Sequence, residues 1–207
     1  AVADGRVFVF DRQGDQERVT AVAADTGKQI WQSGFKANFV PAYVNDNGPR
    51  CVPTVHRNRV IVFGAKGGLH CLDVKTGKTI WSHDTMALFN SKRPFRGEPP
   101  EGYFGKGSSP IVSNGLVIVN AGGAEKNAGI VAFSLSDGKL AWQSTDVRAS
   151  YSSPTLAKIG GQPHVVFAAR LNVISVDPRT GKELFRFSFG RPGPTVTGAI
   201  PVVLGDQ

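Results

Sequence analysis

Four histidines, two cysteines and two Ser-Ser-Pro steps are the places where this 207-residue sequence could do chemistry. His56, His70, His83 and His164 follow no metal-ligand spacing. His70 adjoins Cys71 on a strand-like run, where successive side chains point to opposite faces. They read as structural histidines. Cys51 and Cys71 would fall on the first and third strands of one repeated unit, about 10 Å apart at ~4.8 Å per strand. A disulfide tolerates a Cα separation of only ~7 Å, so both are expected to be small buried residues. The serines of Ser108–Pro110 and Ser152–Pro154 have no paired His/Asp pattern and no nucleophile elbow. Their hydroxyls are expected to hydrogen-bond the backbone where a strand begins. No catalytic residue and no metal ligand is assigned.

The elements that would position these residues are repeats. "AVAADTGKQIW" (Ala21–Trp31), "CLDVKTGKTIW" (Cys71–Trp81), "AFSLSDGKLAW" (Ala132–Trp142) and "SVDPRTGKELF" (Ser175–Phe185) are four copies of one strand–turn–strand unit. Gly27, Gly77, Gly138 and Gly181 occupy the turn position that calls for a left-handed residue. Lys28, Lys78, Lys139 and Lys182 follow them as solvated turn charges that discourage edge pairing. Trp31, Trp81, Trp142 and Phe185 place one flat side chain per unit, which suits docking against the neighbouring unit, since an aromatic buries roughly 150–250 Å².

The turn glycines are spaced by 50, 61 and 43 residues. Pro53, Pro110 and Pro154 precede the turn glycine of their own units by 24, 28 and 27 residues, and Pro201 opens another unit. Runs such as "RVIVFGA", "LVIVNAG" and "HVVFAAR" lie between these landmarks, so each unit reads as four strands with no helical periodicity. Four-stranded antiparallel units at periods of about 40–50 residues predict an all-β β-propeller. The expected blades are 1–47, 48–106, 107–149 and 150–196, with 197–207 opening a further one. "AVADGRVFV" aligns with "TVHRNRVIV", and the sequence ends inside a first strand, as a piece of a larger ring would; closure of four blades is the alternative. An open piece is expected to expose its terminal sheet faces and to self-associate.

In such a ring the innermost strands line a central channel. Arg50, Ser109, Ser153 and Thr197, near the starts of four successive innermost strands, are expected to approach one another at its mouth, with Arg50 and Tyr151 supplying a cation and an aromatic face. The longest connection, Met86–Gly107, carries Lys92, Arg93 and Arg96 interleaved with Phe89, Phe95, Tyr103 and Phe104. That mixture suits an acidic or extended partner; the alternative is a loop packed over the channel mouth by its own aromatics.

Net charge is +8. Basic residues are spread over the repeats apart from "NSKRPFR" (Asn90–Arg96), and no nucleic-acid motif is present, so a protein or an anionic envelope component is the expected partner. No apolar run reaches the 18 or so residues of a membrane span. No signal peptide is visible at an N-terminus that falls inside a repeat.

The A-x-D-x-x-T-G-K-x-x-W pattern resembles the tryptophan-docking repeat of the quinoprotein alcohol dehydrogenase-like (pyrroloquinoline-quinone-like repeat) propellers, and the resemblance covers the whole chain. It implies a ring of seven or eight blades. Ala23 and Ser134 replace the pattern's Asp, which is kept at Asp73 and Asp177, and Phe185 replaces the last Trp. "GPRCVPTV", "GYFGKGSSPIV" and "YSSPTLAKIGG" resemble the non-catalytic members of bacterial envelopes, such as the lipoprotein of the outer-membrane β-barrel assembly machine. The resemblance thus implies a periplasmic or extracytoplasmic interaction scaffold without a cofactor. Its alternative is a fragment of a dehydrogenase that uses pyrroloquinoline quinone and calcium. Dehydrogenases of this superfamily hold calcium on carboxylate and amide oxygens and often cap the quinone with adjacent cysteines; the sequence contains no Cys-Cys pair and no clustered Asp/Glu/Asn set.

Overall fold

The computed structural model describes residues 1–41, 46–89, 103–191 and 198–205. Among them, strands form four four-stranded antiparallel sheets, each an up-and-down meander in chain order. Blade 1 holds β1 (Val2–Ala3), β2 (Arg6–Gln13), β3 (Gln16–Ala23) and β4 (Gln29–Lys36). Blade 2 holds β5 (Thr54–His56), β6 (Arg59–Phe63), β7 (Gly68–Asp73) and β8 (Thr79–Asp84). Blade 3 holds β9 (Ile111–Ser113), β10 (Leu116–Val119), β11 (Ile130–Ser134) and β12 (Leu140–Ser144). Blade 4 holds β13 (Thr155–Ile159), β14 (Gln162–Ala169), β15 (Asn172–Val176) and β16 (Glu183–Ser188).

Burial explains the residue choice. Strands β6, β10 and β14 are covered on both faces, so they are apolar runs buried nearly end to end, whereas β2 of the first blade leaves Val9 exposed. The outer strand β8 instead alternates, with Trp81 buried and Ile80 and Ser82 exposed. One apolar cluster joins blades 1 to 3 through Phe8, Trp31, Phe63, Cys71, Trp81 and Phe133. A second joins blades 3 and 4 through Ile118, Ile130, Phe167 and Ile174.

A register shift recurs between the third and fourth strands of every sheet, at Ala21/Val22, Cys71/Leu72, Ala132/Phe133 and Ser175/Val176. These bulges fall beside the pairs Ala21↔Trp31, Cys71↔Trp81, Ala132↔Trp142 and Ser175↔Phe185. The four turn glycines that follow all have positive φ, from +69° to +73°. In blades 2 and 4 an Asx turn fixes the loop: Asp73 Oδ1 accepts from the N–H groups of Lys75 and Thr76, and Asp177 Oδ1 from those of Arg179 and Thr180. These bonds to Thr76, Lys75 and their counterparts, which favour the ionised form, hold both carboxyls below the usual range.

Two sequence expectations need correction. A short helix, α1 (Thr85–Phe89), opens the longest connection where no helical periodicity was expected. Its first turn is capped by Asp84, whose Oδ1 accepts from the N–H of Ala87 at 3.0 Å, and five residues are too few to leave a periodic signature. Cys51 lies ahead of β5 rather than on it; its Sγ accepts from the N–H of Phe63 at 3.2 Å. Both cysteines are free and buried, and burial pushes their thiols up to about 12 and about 11.

On the outward face of blade 4, Phe187 is 55% exposed, and beyond the blade Ile200, Val202 and Leu204 stand 57–79% exposed. Residues 199–201 lie along β13: Thr155 Oγ1 donates to the carbonyl of Pro201 at 2.6 Å, and Ser152 Oγ donates to that of Ala199.

Candidate functional site

A meander gives each blade two unlike ends. At one end lie the turns joining third to fourth strands, and there each blade grips the next. Trp31 Nε1 donates to the carbonyl of Val74 at 3.1 Å, Trp81 Nε1 to Leu135 at 3.1 Å and Trp142 Nε1 to Pro178 at 3.3 Å. The indole rings lie over Gly77, Gly138 and Gly181 respectively, where a Cβ would come within 2.4–2.8 Å of ring atoms. Gly27 has open space around it. Phe185 packs within its own blade, against His164 and Phe187.

The opposite end carries the connections from each blade to the next and holds the candidate site. First strands lie side by side there: Thr54 Oγ1 donates to the carbonyl of Pro110 at 2.5 Å. Ser109 Oγ accepts from the N–H of Val52 at 2.9 Å, and Ser153 Oγ accepts from the N–H of Ser109 at 3.1 Å. These bonds link successive blades and bring Ser109 and Ser153 into direct contact. Below them Asn120 bridges inward, accepting from the N–H of Ser150 at 2.7 Å and donating to Gly129 at 2.8 Å, while Ser150 Oγ donates to Ala168 at 2.7 Å. Such satisfied buried networks fix a single arrangement.

Arg50 and Tyr151 are brought together by a residue between them, Phe104. The Arg50 guanidinium sits 6.0 Å from the Phe104 ring centroid, which is cation–π range. It is held there by donation to the carbonyls of Gly48 and Asp46 at 2.6 and 2.7 Å. Tyr151 meets Phe104 edge-on at 5.8 Å and accepts from its backbone N–H at 2.9 Å. Gly107 lets the Tyr151 ring approach, since a Cβ there would lie 2.6 Å from Cδ1. All three side chains are partly exposed. The cluster thus leaves a cation and aromatic faces partly exposed. Tyr103, read from the sequence as part of the partner loop, is buried instead: its ring serves packing. Lys92, Arg93, Phe95, Arg96 and Thr197 lie outside the described residues.

At the same end, blades 1 and 2 enclose a cavity of about 440 Å³ lined by Glu17, Lys36, Asn38, Lys66, His70 and His83, among others. Glu17 is almost fully buried, and its Oε1 accepts from the N–H of Ala65 at 2.8 Å. Desolvation raises its carboxyl above the usual range, opposed by that bond and by Arg12 and Arg50. His70 stacks on Phe35 at 3.7 Å, and its Nδ1 is buried with no partner among the described residues. Burial lowers its imidazole to about 4, so it is neutral. Sequence reading missed Glu17 and the Asn120–Ser150 network, because their partners lie 48 and 30 residues away with no motif to connect them.

The family described as outer membrane protein assembly factor BamB matches residues 15–198. The dehydrogenase subunit of the quinone alcohol dehydrogenase of Komagataeibacter europaeus is 35% identical over 59% of the chain and 16% of its own length. The BamB of Yersinia pestis is 29% identical over 80% of the chain and 35% of its own length. Among solved structures, the quinohemoprotein alcohol dehydrogenase ADHIIG of Pseudomonas putida superposes with a TM-score of 0.62 at 20% identity, over 91% of the chain and 34% of that protein. BamB of Moraxella catarrhalis superposes with a TM-score of 0.54 at 18% identity, over 85% of the chain and 50% of that protein. The chain thus spans between a sixth and about a third of the length of these curated relatives.

Proposed function

The chain belongs to the BamB family of pyrroloquinoline-quinone-like repeats, and from that membership we propose that it is a non-enzymatic interaction propeller of the bacterial cell envelope. On this reading its repeats are consecutive blades, 1–47, 48–106, 107–149 and 150–196, of a larger ring, and the end that carries the blade-to-blade connections receives a protein or an anionic envelope component. The observation that carries the reading is the Arg50–Phe104–Tyr151 cluster. It stands at the end of the connection that brings Lys92, Arg93 and Arg96 in sequence, while the repeated tryptophans serve packing at the far end. Capture from envelope extract by the full-length parent should fall sharply in the pair Arg93→Glu/Arg96→Glu and in Arg50→Glu. Unchanged capture in both counts against this end as the binding surface.

A second reading is a portion of a quinone-dependent dehydrogenase. It is favoured by the 35% identity to the dehydrogenase subunit of the quinone alcohol dehydrogenase of Komagataeibacter europaeus. The described residues fit that cofactor poorly. Calcium takes roughly six to eight oxygen ligands, and no three His, Cys, Asp or Glu side chains gather into a metal-binding group among them. Glu17, the buried carboxyl nearest the mouth, is already hydrogen-bonded to Ala65. A spectral change on titrating the full-length parent with pyrroloquinoline quinone and calcium, together with dye-linked alcohol oxidation, would establish this reading over the first.

A further inference from the structure

The cavity between blades 1 and 2 holds polar groups that the fold itself leaves unused. Its volume of about 440 Å³ lies in the range of small-ligand sites, roughly 300–1,000 Å³. Buried Glu17 from β3 and half-buried His70 from β7 line it, and around them stand the exposed Lys36 at the end of β4, Lys66 from the β6–β7 turn and Ser82 from β8. Glu17 Oε1 accepts from the N–H of Ala65, while Oε2 has no hydrogen-bond partner among the described residues. Neither ring nitrogen of His70 has one there either. Polar groups withdrawn from water without a partner are costly, and each one in a native structure calls for an explanation.

The cations of the same lining are also underused. A lysine carries three N–H donors. Lys66 gives one of them to the Asn38 amide oxygen at 2.8 Å, and Lys36 and Ser82 have no side-chain partner among the described residues. The carboxylates of the lining are engaged elsewhere: Asp84 Oδ1 caps α1 through the N–H of Ala87, and Glu17 is stabilised by Arg12 and Arg50. His83 is committed as well, with Nε2 on the Gly138 carbonyl at 2.6 Å and its ring stacked on Phe133 at 4.5 Å.

These groups define the ligand. A carboxylate oxygen only accepts, and a neutral imidazole has one donating and one accepting nitrogen, so hydroxyls, which do both, suit Glu17 and His70. The two lysines call for an anion. An acidic peptide side chain would meet the lysines but bring no donor to Glu17, and a phosphate dianion would be repelled by Asp84 on the same lining more strongly than a single negative charge. We infer that the cavity between blades 1 and 2 binds an acidic sugar, a carboxylated hexose unit of a glycan, whose hydroxyls pair with Glu17 and His70 and whose carboxylate is held by Lys36 and Lys66. The site rests on the reading of the chain as an envelope protein and names the chemical class of its anionic component.

The test uses the full-length parent, labelled on its histidine rings for nuclear magnetic resonance, with the His70 signals assigned by their loss in His70→Phe. Three probes are titrated: methyl glucuronide, methyl glucoside and acetyl-Gly-Glu-Gly-amide. Methyl glucuronide should shift the His70 ring resonances saturably, methyl glucoside should do so more weakly, and the peptide should leave them in place. In Lys36→Gln/Lys66→Gln the glucuronide affinity should fall about fivefold, to that of the glucoside, whose own affinity stays unchanged. Glu17→Gln keeps an oxygen on the Ala65 N–H and puts an amide NH2 in place of the free acceptor, so both sugars should weaken together. Equal affinities for the two sugars in the parent, equal shifts with the peptide, or no shift at His70 would overturn the site. No shift with capture from envelope extract intact would sink the site alone and leave the envelope reading standing; glucuronide binding without any such capture would keep the site and count against that reading.

Discussion

The Trp31 ring rests on the backbone of Gly77 so closely that a Cβ at that glycine would sit 2.5 Å from Cε3. Gly27, with nearly the same φ of +69°, has nothing within 4 Å. The two glycines therefore separate two costs. Gly27→Ala should cost only the left-handed strain of a non-glycine residue, ~1–2 kcal/mol. Gly77→Ala carries the same strain plus a clash with the indole, so it should be clearly more destabilising in chemical denaturation of the full-length parent. Equal losses at the two positions would show that the Trp31–Gly77 contact is slack.

The same contact ranks substitutions at Trp81. Its indole N–H bonds the carbonyl of Leu135 at 3.1 Å, and its ring packs over Gly138. Trp81→Phe should keep most of the packing and lose the hydrogen bond, for about 1–2 kcal/mol. Trp81→Ala should cost about 3–5 kcal/mol. Blade 4 already carries Phe185 at this position. Melting temperatures of the two variants measure the order, and a Phe variant as damaged as the Ala variant would assign the stability to the hydrogen bond instead.

Blade architecture was legible because it depends on short-range chemistry that repeats. A glycine with positive φ, in blades 2 and 4 an Asp accepting from the N–H groups of that same turn, and an aromatic four residues after the glycine all lie within one hairpin. The residues expected at a channel mouth were related by contacts that no spacing reveals: Arg50 and Tyr151 are joined through Phe104, and Ser109 and Ser153 each accept a blade-to-blade hydrogen bond. The cavity of about 280 Å³ between blades 3 and 4, lined by Arg148, Arg170 and Arg186 among others, was not legible at all. Its members come from a connection, a turn and an outer strand of two blades, and no local pattern relates them.

His70 makes stability depend on pH in the acid range. Its folded-state value of about 4 lies below the ordinary 6.5, so the unfolded chain binds a proton that the folded chain refuses. Stability is full above about pH 6.5 and falls as pH drops toward 4, by on the order of 2–3 kcal/mol if the whole shift is expressed. His70→Phe keeps a ring to stack on Phe35 and removes the titration. Denaturation midpoints of the variant should flatten across this window relative to the parent; an unchanged slope would place the acid sensitivity elsewhere.

Glu17 acts with the opposite sign. Its folded-state value is raised, so its favourable contribution is complete below the ordinary glutamate value and is lost as pH rises through the raised one. Glu17→Gln keeps an oxygen to accept from the Ala65 N–H while removing the buried charge, so it should equal or exceed the parent in stability at neutral pH. Glu17→Ala leaves that N–H without its acceptor and should cost roughly 1–3 kcal/mol. Unfolding measured at pH 5 and pH 8 separates these cases: the parent's deficit against Glu17→Gln should grow at the higher pH, and a deficit that shrinks would mean that Arg12 and Arg50 stabilise the carboxylate more than burial opposes it.

Tyr151 and Arg50 together test whether the mouth recognises a partner through its shape or through its charge. Tyr151→Phe keeps the aromatic face and deletes the oxygen that accepts from the Phe104 N–H at 2.9 Å. The amide of Phe104 should then exchange with solvent several-fold faster, and the segment around it should loosen at a cost of about 1 kcal/mol. Arg50→Met keeps an unbranched stem beside Phe104 and deletes the cation, together with its bonds to Gly48 and Asp46. If the partner is anionic, Arg50→Met should weaken capture by the full-length parent and make the remainder less sensitive to salt, since surface attraction is screened within ~10 Å at 0.1 M. Tyr151→Phe should weaken capture without changing that salt dependence. Capture that survives Arg50→Met with its salt dependence intact would show that the cation is structural, holding the Asp46–Gly48 turn against Phe104 rather than meeting a ligand.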